Sequence, residues 1–261
     1  MLFDSKGCAS KALVELLEIL NVPHDGTMSG ILVATQQAWY EKGKLRAEIK
    51  ERHGDKDLSS FFQRLGMTHE VLTERKGDIS CGLLFGATVT AVRKRLALLA
   101  REWERGARIT QLVLLGSTRA LLSDKESPDI LLSAGEILLK DSWSPPHTLP
   151  RTESEMMELV LDQSVLPWNG LGIITTVVNA SSESGGNPTA GDTINEWLRF
   201  GPTKTKLLAV SSQPFVGYHD ALLRRKLPGW EIETIGYAAP SGLPNTTFLD
   251  NLAKWIYELA S

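Results

Sequence analysis

Two stretches of the chain place acidic side chains at the predicted starts of helices, where a carboxylate can act on a ligand. RTESEMMEL carries Glu153 and Glu155 behind Thr152, and NPTAGDTINEWL carries Asp192 behind Thr189. A carboxylate held there can transfer protons or bind a ligand. It can also simply cap the helix and favour its dipole. We predict Glu155 and Asp192 as the catalytic residues, and the capping role stays open for both stretches.

Two arginines are candidates for holding an anionic group of a ligand. Arg93 lies in the predicted helix that follows Gly86, and Arg119 comes shortly after Gly116. A guanidinium group presents a planar fork of donors that matches a phosphate or a carboxylate. We therefore predict that Arg93 and Arg119 clamp an anion, with solvated surface charge as the alternative for Arg93. Arg95 is expected to be a solvated surface charge.

The turns that follow the predicted strands are rich in glycine and small polar residues. Such residues let the backbone approach a ligand and offer hydrogen-bond donors, although α/β proteins also use them as plain turns. These junctions lie at 86–88, 116–119, 179–193, 211–213 and 236–237. With the arginines, they supply the predicted ligand-binding residues: Gly86, Thr88, Arg93, Gly116, Ser117, Arg119, Thr189, Ser211, Ser212 and Gln213.

The chain lacks the short motifs that would identify its chemistry. It has no phosphate-binding loop of the form G-x-x-x-x-G-K-[ST], no G-x-G-x-x-G and no G-x-S-x-G. Its five histidines are scattered, and its two cysteines, Cys8 and Cys81, have no metal-binding spacing. A P-loop kinase, a standard dinucleotide dehydrogenase and an α/β-hydrolase are therefore disfavoured, and no metal-ligand set is predicted.

The elements that must position these residues follow an alternating strand and helix pattern from about residue 79 onward. Apolar runs alternate with amphipathic segments, which is typical of a parallel sheet flanked by helices. We predict strands at 81–85, 111–115, 172–178, 206–211 and 231–235, and helices at 89–105, 153–163, 190–200, 217–227 and 248–259. The fold class is thus α/β, a Rossmann-like open parallel sheet whose carboxyl edge would bind the ligand.

The first 75 residues differ from the rest because their apolar pattern is helical throughout. Helices are predicted at about 12–20, 31–52 and 58–65. We predict two domains, a helical N-terminal layer or lid (1–75) and a Rossmann-like domain (76–261). The lid could wall the ligand pocket, pack elsewhere or mediate a dimer. The long proline-containing crossover lies at 117–152, and its residues 120–150 are predicted to form a flap over the same pocket.

Composition restricts the partners and the location. With 42% hydrophobic and 23% charged residues, the chain is typical of a soluble globular protein. A formal charge of −3 gives no reason to expect nucleic-acid binding. Two cysteines form no disulfide framework, and the N-terminus resembles neither a signal peptide nor a membrane span. We therefore expect a cytoplasmic protein that contacts no membrane, and composition leaves the oligomeric state open.

The order of the motifs resembles one family of α/β proteins. Residues 79 to 240 contain GATV-x-x-VRKRLALL, a strand ending in VLLGSTR, then TESEMM, NPTAGDT and LLAVSSQPF. This order is similar to that of the YdcF/SanA/ElyC family. The chain departs from the family pattern where Gly191-Asp192 replaces Glu-Asn, and where Phe215 and Tyr218 stand after the Ser-Ser turn with His219 displaced. It therefore resembles a divergent member.

The resemblance implies a Rossmann-like fold and a site formed by Gly86, Arg93, Gly116, Ser117, Glu155, Thr189, Asp192, Ser211 and Ser212. It also implies S-adenosylmethionine as a cofactor in one branch and cell-envelope precursors as substrates in others. Two functions follow as hypotheses. The first is an enzyme, a transferase or hydrolase acting on a small anionic or nucleoside-containing metabolite, with a divalent metal left open. The second is a sensor that binds a nucleotide or S-adenosylmethionine without catalysis.

Overall fold

The computed structural model describes residues 2–41, 49–182 and 185–261, which group into two compact units. One unit contains the residues up to Glu70 together with Gln213–Leu227 and Ala238–Ser261. The other contains Val71–Ser212 and Pro228–Tyr237. We call them the helical unit and the sheet unit. The lid role predicted for residues 1–75 stays a prediction.

The described residues form nine helices and five strands. The helices are α1 (Lys11–Ile19), α2 (Met28–Ala38), α3 (Ser59–Arg64), α4 (Val89–Glu104), α5 (Pro128–Leu132), α6 (Glu153–Gln163), α7 (Ala190–Arg199), α8 (Val216–Lys226) and α9 (Asn245–Ala260). The strands are β1 (Gly77–Phe85), β2 (Ala107–Ser117), β3 (Ile174–Ala180), β4 (Lys206–Ser212) and β5 (Glu231–Tyr237).

The sheet unit contains one open sheet whose strands are all parallel. Their order is β3-β2-β1-β4-β5, so the direction of winding reverses between β1 and β4. Such a reversal is where α/β proteins usually bind ligands, beyond the carboxyl ends of the strands. The predicted Rossmann-like α/β fold is confirmed.

One face of this sheet is covered by α4 and α6, which bury the apolar side chains that their helical spacing places on one side. Leu84 and Leu112 of the strands share a core with Leu96 of α4 and with Met156 and Val160 of α6. All five side chains are almost completely buried. Because this core holds α6 on the sheet, it fixes where the first turn of α6 meets the ends of β1 and β2.

The helical unit has its own core, to which the last helix contributes together with the first three. Phe62 of α3 stacks on Phe248 of α9 with ring centroids 4.4 Å apart. Leu13 and Leu17 of α1 are buried in the same cluster. The large apolar residues of the N-terminus are therefore covered by helix α9.

The helix predicted at 31–52 is wrong in part. It begins at Met28 and ends at Ala38, where Trp39 forms the C-cap, and residues 49–52 are not helical. The part of that prediction at 42–48 lies outside the described residues. Across the described chain, no helix is both long and apolar enough to cross a membrane.

The crossover between β2 and α6 is attached to the sheet unit in its middle part, whereas residues 144–148 are exposed. It contains the short helix α5, and Leu131 and Ile137 are buried in the main core of this unit. Trp143 packs on the same core, and Lys140 N donates to Gln163 O at 2.9 Å. The flap role stays a prediction, and these contacts hold the segment on α6.

Candidate functional site

The first turn of α6 lies against the carboxyl ends of β1 and β2, and two glycines make that approach possible. A Cβ atom at Gly116 would lie 2.6 Å from Ser154 Cα. A Cβ atom at Gly86 would lie 2.7 Å from Leu115 O and 2.8 Å from the carboxyl carbon of Glu153. Neither glycine has positive φ. Both positions therefore require glycine because of its size.

Because of this close approach, the Glu153 carboxylate lies at the carboxyl edge of the sheet. Ser117 Oγ donates to Glu153 Oε2 at 2.6 Å, and Arg119 Nη2 lies 3.4 Å from Glu153 Oε1. Arg119 also forms a two-point ion pair with Glu126, at 2.9 and 3.2 Å. We call these four residues, Ser117, Arg119, Glu126 and Glu153, the Glu153 cluster. It holds two carboxylates and one guanidinium, all of them buried.

Burial changes the acidity of this cluster. It raises the pKa of Glu153 above its ordinary value, and the charge of Arg119 and the hydrogen bond from Ser117 offset only part of that rise. Burial lowers the pKa of Arg119, but its hydrogen bond to Glu126 and the two nearby carboxylates produce a net rise. A carboxyl whose pKa is raised at the edge of a parallel sheet is a candidate for proton transfer.

The two residues predicted to be catalytic both occupy capping boxes. Glu155 accepts hydrogen bonds from Arg151 N at 2.6 Å and Thr152 N at 3.2 Å at the start of α6. Asp192 accepts from Thr189 N at 2.7 Å at the start of α7. These bonds satisfy backbone donors that the helix leaves open. The structure gives both residues a capping role, and their catalytic role stays a prediction.

Two of the arginines of α4, Arg93 and Arg95, are buried and bind backbone carbonyl groups. Arg93 donates to Ile130 O at 2.9 Å and to Leu131 O at 2.8 Å, which fastens the crossover to α4. Arg95 is only 3% exposed, so the prediction that it is a solvated surface charge is wrong. It donates to the carbonyl oxygens of Phe85 and Gly86 at 2.8 and 2.7 Å.

Arg95 also joins the two strands between which the winding of the sheet reverses. Its Nη2 donates to Ser212 Oγ at 2.9 Å, while its Nη1 binds the end of β1. Ser211 and Ser212 are buried at the end of β4. Gln213 belongs to the helical unit, where its amide donates to Gly66 O and His69 O.

The structure therefore divides the predicted ligand-binding residues into separate groups. Gly86, Ser117 and Arg119 lie against Glu153, and Gly116 packs against the next residue, Ser154. Thr189 instead pairs with Asp192 at the start of α7. Gly86, Ala87 and Thr88 remain partly exposed. Thr88 is the N-cap of α4, and its side chain makes no capping hydrogen bond. These three residues form the accessible rim of the Glu153 cluster.

Sequence reasoning weighed Glu153 but selected Glu155, and it missed Glu126 and Arg95. A signal for Glu153 was present, because a capping box behind Thr152 uses Glu155 and leaves Glu153 available for another role. No comparable signal marked Glu126. It lies in an irregular crossover, and its pairing with Arg119 depends on the path of that segment.

Comparison of the chain with models of protein families, with curated proteins and with solved structures found no match. The resemblance to the YdcF/SanA/ElyC family therefore stays a prediction. Within the described ranges, no three histidine, cysteine, aspartate or glutamate side chains come together as a metal site.

The raised pKa of Glu153 predicts a pH-dependent difference in stability between the wild type and Glu153→Gln. Below about pH 4.5, the ordinary pKa of the group, the carboxyl is protonated in the folded and unfolded chains alike. Above it, the unfolded chain ionises first, because the pKa in the folded chain is higher. The wild type should therefore lose stability relative to the variant as the pH rises from about 4.5. Urea unfolding at a series of pH values measures this difference.

Glu155→Gln is the matched control, because its effect should have the opposite sign. The hydrogen bond from Arg151 N lowers the pKa of Glu155, so ionised Glu155 stabilises the fold and loses that effect as the pH falls. Glutamine is also accepted in a capping box. Equal pH slopes for the two variants would contradict the assignment of the buried, perturbed carboxyl to Glu153.

Proposed function

We propose that the sheet unit is an enzyme that acts on a small anionic or nucleoside-containing metabolite at the carboxyl edge of its sheet. The reaction class is group transfer or hydrolysis. The observation that carries this proposal is the Glu153 carboxyl, which is buried beside Gly86 at the end of β1 and has a raised pKa. Glu153, in place of Glu155, is the proposed proton-transfer residue.

The surroundings of Glu153 support a ligand with two kinds of polar group. The cluster holds two carboxylates against one guanidinium, so it favours a hydrogen-bond donor, such as an amino or hydroxyl group. The start of α4, next to Thr88, has amide groups and a positive dipole end that favour an anion. A nucleoside phosphate or an amino sugar phosphate combines both kinds of group.

The guanidinium groups of Arg93 and Arg119 are not proposed to contact the ligand. Arg93 binds the crossover, and Arg119 binds Glu126. Since both charges are used within the chain, we assign the anion contact to the backbone at 86–88 and to the start of α4. Arg119 then holds Glu153 in place. Its positive charge favours the ionised form of the Glu153 carboxyl, which opposes the effect of burial.

A second candidate function is a sensor that binds such a metabolite without changing it. It is favoured by the fact that Ser117 and Arg119 already engage both oxygens of Glu153. A carboxyl held in this way can serve as a fixed acceptor without transferring a proton. S-adenosylmethionine belongs to this proposal, because its amino group would be a donor to Glu153 and its carboxylate an anion for the start of α4.

The first experiment is a thermal-shift screen of the whole chain with nucleotides, sugar phosphates and S-adenosylmethionine, with and without magnesium. A compound present at 100 times its dissociation constant stabilises the folded state by about 2.7 kcal/mol. Each hit is then incubated with the protein and analysed by mass spectrometry. Conversion of the compound supports the enzyme, and recovery unchanged supports the sensor.

The second experiment compares Glu153→Gln with Glu155→Gln on a converted hit. Removal of a general acid or base lowers turnover about 100-fold or more. We expect this loss for Glu153→Gln with little change in binding, and near-normal turnover for Glu155→Gln. The reverse result would return the catalytic role to the capping residue and overturn our assignment.

A further inference from the structure

The two edge strands of the parallel sheet are β3 and β5. They differ in the contacts that the rest of the sheet unit makes with their outer edges. An uncovered strand edge presents a row of free backbone donors and acceptors to any other strand. Natural proteins therefore cover such edges, or they place charged residues and prolines on them. Comparison of the two edges shows which of them is available to a partner.

The β5 edge is covered and charged. Val71 and Gly236 exchange two backbone hydrogen bonds of 2.8 and 2.9 Å, which adds a short antiparallel contact to the outside of β5. Glu233 on β5 accepts from Thr73 Oγ1 at 2.7 Å and forms an ion pair with Arg75 at 3.1 Å. Another strand cannot add to this edge without displacing these contacts.

Within the described ranges, the β3 edge has neither protection. Among the described residues, the strand pairs only with β2, along its full length from Ile174 to Ala180. Its sequence, ITTVVNA, contains no charged residue and no proline. Ile174 is 68% exposed on it, and Leu171, just before the strand, is 62% exposed. An uncharged edge bordered by exposed apolar side chains is typical of a surface that pairs with another strand.

We propose that β3 pairs with β3 of a second copy of this chain, which would join two sheets into one across a two-fold axis. An antiparallel pair centred on Val177 would place Ile174 opposite Ala180 and Thr175 opposite Asn179. A large side chain then faces a small one, and a hydroxyl group faces an amide group. Because the strand carries no charge, self-pairing brings no like charges together. A two-fold contact is formed by the same surface of both copies, and an uncharged strand edge can pair with itself in this way.

The test is the oligomeric state of the full chain, measured by sedimentation velocity from about 1 to about 100 µM, the range suited to a contact of modest area. We expect a dimer that dissociates on dilution. Ile174→Lys places a charge on the edge at a largely exposed position, and it should weaken dimerisation about tenfold or more. Leu138→Lys, on another exposed apolar residue of the same unit (75%), should dimerise like the wild type.

Each of the following results would overturn this proposal. If the wild type is monomeric over the whole concentration range, β3 does not pair with β3 of a second copy. An Ile174→Lys variant that dimerises normally, or a Leu138→Lys variant that does not dimerise, places the contact elsewhere. Should Ile174→Lys fail to fold, hydrogen exchange on the wild type decides. Amides of 174–180 must become more protected at high concentration, and unchanged protection contradicts the pairing.

Discussion

Arg119→Ala is expected to lower the free energy of unfolding by about 3–5 kcal/mol, the effect of breaking a buried ion pair by removing one partner. Arg119 contacts Glu126 at 2.9 Å and Glu153 at 3.4 Å, and the Glu126 side chain is 0% exposed. Without the guanidinium, the carboxyl groups of Glu126 and Glu153 stay buried and lose the arginine that pairs with both of them. Urea unfolding at neutral pH measures the loss, which should shrink in acid as the carboxyl of Glu153, whose pKa burial raises, gains a proton.

Arg199→Ala provides the control within the same unit. Arg199 contacts Glu196 at 2.8 Å, but its side chain is 64% exposed, so this pair should contribute about 0–1 kcal/mol. The double variant Arg119→Ala/Glu126→Ala should be less destabilised than the sum of the two single variants, because it leaves one buried charge fewer. Strict additivity would show that Arg119 and Glu126 act independently, contrary to our description of the cluster.

How well the sequence predicted the structure depended on whether a local signal existed. The starts of α6 and α7 were predicted at 153 and 190, where the structure places them, because the capping boxes behind Thr152 and Thr189 are complete within four residues. The strand starts had no such signal. β1 begins at Gly77, four residues before the predicted 81, because its pairing with β2 extends into polar residues such as Asp78.

The candidate site was predicted less well, because its geometry depends on contacts between distant segments. Arg95 carried a usable signal, since it lies three residues after Val92 and four before Leu99, on the buried side of α4. Its charge was interpreted as a mark of the surface, yet backbone carbonyls at the end of β1 satisfy it. Periodicity places such an arginine on the buried side of its helix, but it does not show which backbone carbonyls bind the guanidinium group.

Gly116 illustrates the same limit in a different way. The sequence pattern predicts a glycine turn that a ligand approaches, whereas the structure shows helix α6 approaching it. Both explanations need a residue without a side chain. Only the position of Ser154, 38 residues further along, distinguishes them. The sheet edge that was predicted to bind a ligand is therefore also the place where α6 packs on the sheet.

Gly116→Ala is expected to lower the free energy of unfolding by about 3 kcal/mol, at the upper end of the cost of overpacking. The new Cβ atom would lie 2.6 Å from Ser154 Cα and 3.0 Å from Val178 O. Because both are backbone atoms, rotation of a side chain cannot relieve the contact, and α6 must move away from the sheet. Gly86→Ala should behave similarly, since its Cβ atom would lie 2.7 Å from Leu115 O.

Gly186→Ala is the control, because its Cβ atom would have no neighbour within 4 Å among the residues that the structure describes, and its φ is not positive. Its effect should stay within about 0.5 kcal/mol. Displacement of α6 by Gly116→Ala should also expose Glu153 to water and move its pKa back towards the ordinary value. The pH-dependent stability difference caused by Glu153→Gln should then be smaller in the Gly116→Ala protein than in the wild type. A stable Gly116→Ala protein with that difference intact would show that α6 does not depend on close contact at Gly116.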